Sequence, residues 1–277
     1  MSDRVFIIGA GKVGRGLSRA FRASGVSVVG LHAREPGDEV TSSGPYPASI
    51  GDANVIIVAV RDSEIDGVCR ALAGLEQEHP GWLAHGAVVL QTSGVVTPPA
   101  FALLRPLGID GGTFHPLVPF ATPEHGARLL NDAWIGIDGD ANARAAARRL
   151  AAALGARTVD IPVNSKVLYH AAAVMASNFP VVLAGIASQL LTDAGVPERT
   201  AQHVVHSLMS AAVRNLEHGS PGDVLTGPTV RGDSATIEAH RHVLRERGRA
   251  AAGDAVASDA LAVYEILGRA AQALRRG

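Results

Sequence analysis

The chain has 277 residues, enough for two domains or one large one, and its 25 basic and 26 acidic side chains give a formal charge of −1. This balance leaves no basic surface for nucleic acid or anionic lipid, and the 4% of aromatic residues argues against a base-stacking surface. Much of the 47% hydrophobic content is alanine, which favours closely packed helices. The composition therefore indicates chemistry on a small molecule, with neither nucleic acid nor membrane as a partner.

The chain opens with an apolar run that breaks into the motif Gly9-x-Gly11-x-x-Gly14 and then into a helical pattern. In such a strand-turn-helix the first glycine permits the tight turn, the second lets the backbone approach a pyrophosphate, and the third lets the helix pack close to the strand. The helix N-terminus adds N–H groups and the positive end of its dipole. A glycine-rich turn that binds nothing has the same spacing. We predict a dinucleotide site that includes Gly9, Ala10, Gly11, Lys12, Val13 and Gly14.

The second predicted strand, residues 26–32, bears on which nicotinamide cofactor binds. In this fold an Asp or Glu about 20 residues past the glycines accepts from the ribose 2′-OH of NAD, whereas an arginine accommodates the 2′-phosphate of NADP. Here the strand ends in His32-Ala-Arg34, without a carboxylate. Because Arg34 is able to form paired bonds with a phosphate, we predict NADP(H) in preference to NAD(H), with His32 as a helper. If Arg34 is only a solvated loop residue, Glu35 serves NAD instead.

Further apolar runs predict a βαβ series that continues to about residue 162. The run at residues 54–60 is nearly continuous, as in strands buried on both faces of a parallel sheet, and it ends in the predicted cofactor contacts Ala59 and Val60. Other strands are predicted at residues 87–91, 111–114, 133–137 and 157–161, with a helix at 140–154.

Beyond Pro162 the strand runs disappear and long alanine-rich helical patterns follow, at residues 164–194, 197–217, 233–248 and 253–275. We therefore predict an α/β fold: a doubly wound parallel Rossmann sheet that binds NADP at residues 1–162, followed by an all-helical substrate and dimerisation domain at residues 163–277.

The single cysteine and the apolar runs bear on the compartment. Cys69 falls in a predicted helix, where we interpret it as packing. The N-terminal residues lack the pattern of a signal peptide, and no apolar run approaches the roughly 20 residues of a membrane span. We expect a cytoplasmic protein.

The start of the predicted helix 164–194 carries candidate catalytic side chains. A hydride acceptor held at the carboxyl ends of the strands needs a proton source for the alkoxide or amine that forms. Lys166 and His170 are spaced i, i+4 and share a face of the helix, so both are expected to project together. Ser177 returns to nearly the same azimuth, whereas Asn178 points to the side. An isolated lysine is more often a solvated surface residue, but the paired histidine supports a site.

Together these residues resemble the β-hydroxyacid dehydrogenase and 6-phosphogluconate dehydrogenase-like superfamily. The nearest branch is that of Rossmann-like proteins with the domain of unknown function 2520. The resemblance covers essentially the whole chain and is carried by the glycine turn, Thr92-Ser93-Gly94, Phe114-His115-Pro116, Lys166 with Tyr169-His170, Ser177-Asn178 and Gly227-Pro-x-x-Arg231-Gly-Asp233.

The resemblance implies roles for three of these residues. Lys166 would be the general acid, His170 would stand where an amide side chain positions the substrate, and Ser93, beside Gly94, would contact a carboxylate. A histidine in place of an asparagine departs from the better-known relatives, because its side chain titrates near neutrality. Val174 also replaces an asparagine that is typical of ketopantoate reductases. Reduction of a 2-oxo acid such as ketopantoate is still the leading expectation.

Two other motifs have both a structural and a functional interpretation. Asp233 or Ser234 caps the next helix, while Arg231 with Asp233 binds an anionic substrate, in its own subunit or across a homodimer formed by the helical domains. His115 either lines the substrate site or ends a strand; prephenate dehydrogenases carry a similar His-Pro pair. The remaining histidines lack the spacing of metal ligands, so no metal is expected.

The sequence thus favours an NADPH-dependent reductase that acts on a small anionic metabolite, either a 2-oxo acid or a related carbonyl or imine acid. Alternatives are an oxidoreductase of the prephenate dehydrogenase or pyrroline-carboxylate reductase kind, or a sensor module that binds NADP without catalysis.

Overall fold

The computed structural model describes residues 2–162, 164–250 and 255–275. In this part of the chain the strands are β1 (Arg4–Ile8), β2 (Ser27–Ala33), β3 (Ser42–Ser43), β4 (Val55–Val58), β5 (Val88–Gln91), β6 (Asp110–Pro116), β7 (Trp134–Gly139) and β8 (Arg157–Asp160). The helices are α1 (Lys12–Ala23), α2 (Asp62–Glu78), α3 (Phe101–Leu104), α4 (Pro123–Leu129), α5 (Ala141–Ala153), α6 (Lys166–Asp193), α7 (Glu198–Asn215), α8 (Pro221–Val224), α9 (Pro228–Arg231), α10 (Ser234–Ala250) and α11 (Ala255–Leu274).

The strands form one sheet in the order β3-β2-β1-β4-β5-β6-β7-β8. Every neighbouring pair is parallel except β6 and β7, which are antiparallel. The predicted doubly wound α/β fold is confirmed, with the correction that the sheet is not wholly parallel. The strand order reverses between β1 and β4, and in open α/β sheets ligands bind outside the carboxyl ends of the strands at such a point.

Apolar side chains cover both faces of the sheet, and all four residues of β4 are buried, as predicted for residues 54–60. Phe21 and Phe114 belong to the cluster on one face, and Phe101 belongs to the other. Cys69 is fully buried in the second cluster, and burial raises the pKa of its thiol to about 12. Its predicted packing role is confirmed.

Contacts divide the chain into two compact units, residues 1–177 and 178–277. The division falls inside α6, later than the predicted boundary at 162/163, where residue 163 lies outside the described residues. The first unit extends this far because the opening turns of α6 pack on the sheet: the phenol of Tyr169 lies so close to Gly136 that a Cβ there would collide with it.

The second unit consists of helices with a small core of its own. Ile186, Leu244 and Ala260 are buried together, and α10 packs on α11. The predicted helices at 197–217 and 233–248 are observed with ends that differ by one or two residues. For the helix predicted at 253–275, residues 253 and 254 lie outside the described part of the chain.

Helix α6 corrects one expectation. By length and composition alone it is able to cross a membrane, and it is the one helix among the described residues that passes this test. The expectation that no apolar stretch reaches that length was therefore wrong. Such a helix is a weak indication of a membrane span, because core helices of soluble proteins pass the same test.

Candidate active site

The turn between β1 and α1 is shaped by its three glycines in different ways. Gly9 has φ of 112°, and a Cβ there would collide with the carbonyl oxygen of Ala59. A Cβ at Gly14 would collide with the carbonyl oxygen of Gly9, whereas a Cβ at Gly11 would meet nothing within 4 Å. Helix α1 has no side-chain cap and no acidic residue in its first turn. The turn thus leaves open space in front of an uncapped helix N-terminus, which fits a phosphate.

A cavity of about 1060 Å³ opens at this turn, between the carboxyl ends of β1, β2 and β4. Its volume lies at the upper end of those typical of small-molecule and cofactor sites. All predicted cofactor residues except Gly14 line it: Gly9, Ala10, Gly11, Lys12, Val13, His32, Arg34, Ala59 and Val60.

Arg34 and His32 differ in their freedom to contact a ligand. The Arg34 side chain is 81% exposed and forms an ion pair with Glu64 at 3.1 Å. His32 is buried, with Nδ1 hydrogen-bonded to Ser42 Oγ at 3.0 Å and its ring 5.0 Å from the Tyr46 ring. Burial lowers the pKa of His32, so near pH 7 it presents a neutral ring. Of the two, only Arg34 offers a positive charge to a phosphate.

The Lys166 side chain is 9% exposed, and its Nζ points at three oxygens. It donates to the carbonyl of Val96 at 2.8 Å and to Thr113 Oγ1 at 2.7 Å, and it pairs with Asp138 Oδ2 at 3.2 Å. Burial lowers the pKa of Lys166, while Asp138 opposes that shift. The side chain therefore joins the loop after β5 to strands β6 and β7.

The loop after β5 is held by Ser93 and Gln91. Ser93 Oγ accepts hydrogen bonds from the backbone N–H groups of Val95 and Val96, both at 3.1 Å, and the Ser93 N–H donates to Gln91 Oε1. Among the described residues, the Ser93 hydroxyl accepts these two hydrogen bonds and donates none. Contact between Ser93 and a substrate carboxylate stays a prediction.

His115 and His170 meet at Gly94, the next residue of this loop. A Cβ on Gly94 would lie 2.6 Å from His170 Cδ2 and 2.7 Å from His115 Cε1. His115 Nδ1 is hydrogen-bonded to the Tyr169 hydroxyl at 2.8 Å. Burial, reinforced by His170 and Lys166, lowers the pKa of His115 to about 4. Within the described chain, neither ring nitrogen of His170 has a hydrogen-bond partner, so His170 is the imidazole with free nitrogens.

The structure thus brings Ser93, Gly94, His115, Lys166 and His170 together in the first unit. Lys166 and His170 share a helix face, as predicted, but the lysine is hydrogen-bonded to strand β6 and to the loop after β5, while the histidine has no hydrogen-bond partner in the described part of the chain. Sequence reasoning missed the partners Gln91, Thr113 and Asp138. The only signal for them was a polar residue inside or at the end of an otherwise apolar strand.

The other predicted substrate residues belong to the end of the first unit or to the second unit. Ser177 is half-buried at the end of the first unit, whereas Asn178 and Arg231 are exposed in the second unit. Asp233 Oδ1 accepts from the Thr236 N–H at 3.1 Å, and Thr236 Oγ1 donates to Asp233 Oδ2 at 2.7 Å. The interpretation that Asp233 caps the following helix is confirmed; substrate binding by Arg231 and Asp233 stays a prediction.

In the described ranges, no group of three or more His, Cys, Asp or Glu side chains is placed to hold a metal ion.

The family described as "Domain of unknown function (DUF2520)" matches residues 133–271 of the chain. A search of curated proteins found no match to this chain.

Several solved structures are similar over nearly the whole chain. A protein from Thermotoga maritima has a TM-score of 0.73 at 21% identity, covering 99% of this chain and 100% of its own. A candidate NADP oxidoreductase from Bacteroides fragilis has a TM-score of 0.69 at 21% identity, with 98% of both chains covered. A Plasmodium falciparum pyrroline carboxylate reductase with NADP bound has a TM-score of 0.61 at 10% identity, covering 99% of this chain and 98% of its own. Identities this low show a shared fold alone.

Proposed function

The chain belongs to the family of domain of unknown function 2520, and from the site in its first unit we propose that it is an NADPH-dependent reductase of a small 2-oxo acid or a related carbonyl or imine acid. The observation that carries this proposal is the turn between β1 and α1, which we call the glycine cradle. At Gly11 this turn faces open space before the uncapped start of α1. The fold of an NADP-bound pyrroline carboxylate reductase supports the same cofactor and class of substrate.

The chemistry of the site fits a reduction. A bound nicotinamide cofactor would supply a hydride, and the glycine turn with Arg34 would hold its phosphates. The Ser93 hydroxyl donates to the carboxylate of the substrate, and a ring nitrogen of His170 holds the proton that the new alkoxide or amine takes up. The resemblance assigns that proton to Lys166, but all the hydrogens of its ammonium already have acceptors in the protein.

NADP(H), rather than NAD(H), is the second part of the proposal. It is supported by the exposed guanidinium of Arg34 beside the cavity, although Glu64 is its partner in the structure. Recognition of a 2′-phosphate requires Arg34 to exchange that exposed ion pair for the phosphate, which costs little because exposed pairs contribute about 0–1 kcal/mol. Glu35 also lines the cavity, so NAD is the outcome that cofactor measurements must exclude.

We further propose that the protein is a homodimer formed through its helical unit. Large apolar side chains of this unit are exposed, among them Phe179, Val181 and Val182 on α6 and Leu208 and Val213 on α7. Apolar surface of this extent marks an interface, and a second copy of the chain is its simplest occupant.

A cytoplasmic location stays a prediction.

Cofactor oxidation with a panel of small 2-oxo acids and cyclic imine acids tests the reductase proposal. We expect NADPH oxidation with at least one compound, and we expect His170→Gln to lower turnover by roughly 10²-fold without changing NADPH affinity. His85→Gln, an exposed histidine outside the site, is the matched control. Tight NADPH binding with no oxidation by any compound would instead identify a sensor module.

A further inference from the structure

We propose that Lys166 is a positioning residue whose ammonium fixes the first turn of α6 to the loop after β5 and to strands β6 and β7. In this role it holds His170 against Gly94 and is not itself the proton donor. The inference rests on the proposed reductase function for its kinetic consequences, but the contacts that carry it are independent of any substrate.

Each N–H of the Lys166 ammonium group has an acceptor within the protein. An ammonium group has three N–H donors and no acceptor, and here Val96 O, Thr113 Oγ1 and Asp138 Oδ2 take one each. A substrate would have to displace one of these acceptors, at the cost of leaving a polar group unpaired in a buried site. Lys166 is therefore poorly placed to protonate a substrate and well placed to tie elements together.

The acceptors of Lys166 are themselves held by Gln91. Gln91 Nε2 lies 2.8 Å from both Val96 O and Thr113 Oγ1, which are the same two oxygens that Lys166 contacts. Gln91 and Thr113 are fully buried. We call Gln91, Val96, Thr113, Asp138 and Lys166 the lysine latch. Because Gln91 directly precedes the 92–96 loop and Val96 ends it, the latch also fixes Ser93 and Gly94 within that loop.

The latch is coupled to the two histidines through one turn of helix. His170 follows Lys166 by four residues, so the position of the first turn of α6 sets the position of the His170 ring over Gly94. Tyr169, between Lys166 and His170 in the chain, is hydrogen-bonded to His115. The ionisable groups near this turn are thus Asp138, His115, Tyr169 and His170.

Removing a latch acceptor separates positioning from acid catalysis. Thr113→Val and Asp138→Asn each delete one partner and keep the lysine, while Lys166→Met deletes its charge. If Lys166 only positions, all three variants lower kcat by on the order of 10- to 100-fold and keep the pH dependence of the wild type. The double variant Lys166→Met with Thr113→Val is then no slower than Lys166→Met alone. Thr158→Val, on the edge strand β8, is the matched control.

The opposite pattern overturns the proposal. If Lys166 is the acid, Lys166→Met removes one limb of the pH–rate profile, and Thr113→Val keeps turnover within a few fold of the wild type. Should Lys166→Met fail to fold, the comparison of Thr113→Val and Asp138→Asn with the wild type decides between the two roles.

A readout without substrate distinguishes failure of this inference from failure of the reductase proposal. The ring protons of His115 and His170 are followed by NMR in the wild type, Thr113→Val and Thr158→Val. We expect the ring resonances of both histidines to shift in Thr113→Val and to stay in place in Thr158→Val. Unmoved resonances in Thr113→Val would show that the latch does not position the histidines, whether or not any substrate is reduced.

Discussion

The imidazole rings of His115 and His170 lie with their centroids 5.8 Å apart, and both occupy the space that a Cβ at Gly94 would need. The His115 ring is hydrogen-bonded to Tyr169 and kept neutral by burial, whereas the nitrogens of the His170 ring have no partner among the described residues. The two rings therefore differ in their hydrogen bonding, and the reductase proposal gives the proton-donating role to His170.

Gly94→Ala tests whether both rings need the space that the missing side chain of Gly94 leaves. The new methyl group would lie within 3 Å of each ring, so both must move, and we expect turnover to fall by roughly 10²-fold. NADPH affinity should stay unchanged, because the glycine turn is not involved. Gly74→Ala, in the middle of α2 with open space around it, is the control and should raise the free energy of unfolding by about 0.5–1 kcal/mol. Normal turnover in Gly94→Ala would contradict the assigned geometry.

Replacement by alanine is expected to lower cofactor affinity at Gly11 and stability at Gly14. Gly11→Ala adds a methyl group into open space, so stability should be kept while dinucleotide affinity falls by roughly 10-fold or more. Gly14→Ala drives its Cβ into the Gly9 carbonyl, so the free energy of unfolding should fall by about 1–3 kcal/mol. Thermal unfolding and fluorescence titration with NADPH measure the two effects. Equal cofactor affinity in Gly11→Ala and the wild type would refute the cradle.

Arg34→Ala tests the choice of cofactor. Loss of a charge-assisted bond to the 2′-phosphate should weaken NADPH binding on the order of 10-fold and leave NADH binding nearly unchanged. Arg4→Ala, at the exposed start of β1, controls for the change in net charge. Equal losses for NADPH and NADH would show that Arg34 does not read the phosphate.

The burial of His115 predicts a pH dependence of stability. Its pKa of about 4 in the folded chain lies below the ordinary histidine value of 6.5, so the unfolded chain binds this proton first as the pH falls. The contribution of His115 is therefore complete above pH 6.5 and is lost between pH 6.5 and 4, by at most about 3 kcal/mol. Urea unfolding of the wild type and His115→Gln should show a smaller loss over that window in the variant. If the free energy of unfolding falls by the same amount in the wild type and in His115→Gln, His115 is not the cause.

The dimer is tested by a charge on its exposed apolar face. Leu208→Glu places a carboxylate on a side chain that is 65% exposed in the single chain, so the fold should be kept while two copies no longer associate. Gln77→Glu, exposed on α2, adds the same charge outside the helical unit. Light scattering after gel filtration should give a dimer for the wild type and Gln77→Glu and a monomer for Leu208→Glu. A monomeric wild type would end the proposal.

The elements that the sequence predicted are those with a strong local pattern. The buried run at residues 54–60 and the glycine turn each have a local signature, as do the helices from 164 onward. Strand β3 was missed because two serines have no apolar periodicity, and they form a strand only by pairing with β2. The antiparallel pairing of β6 with β7 is likewise a property of the assembled sheet.

Sequence reasoning named five residues that lie together in the structure, but not the contacts that they make: Ser93, Gly94, His115, Lys166 and His170. Spacing placed Lys166 and His170 on one face, yet spacing does not show what each side chain meets. The partners of Lys166 come from strands far apart in the chain, and Thr113 and Asp138 are single polar residues without a motif. Which of two neighbouring ionisable groups is free depends on these long-range contacts, and only the three-dimensional structure contains them.

Transfer of deuterium from NADPH labelled at C4 of the nicotinamide to a pool of 2-oxo acids and cyclic imine acids tests the reductase claim most directly. Mass spectrometry of the mixture after incubation with the wild-type protein should show at least one reduced product that carries one deuterium, and His170→Gln should form it far more slowly. Tight binding of the labelled cofactor with no deuterium in any product would contradict a reductase and leave a protein that only binds the nucleotide.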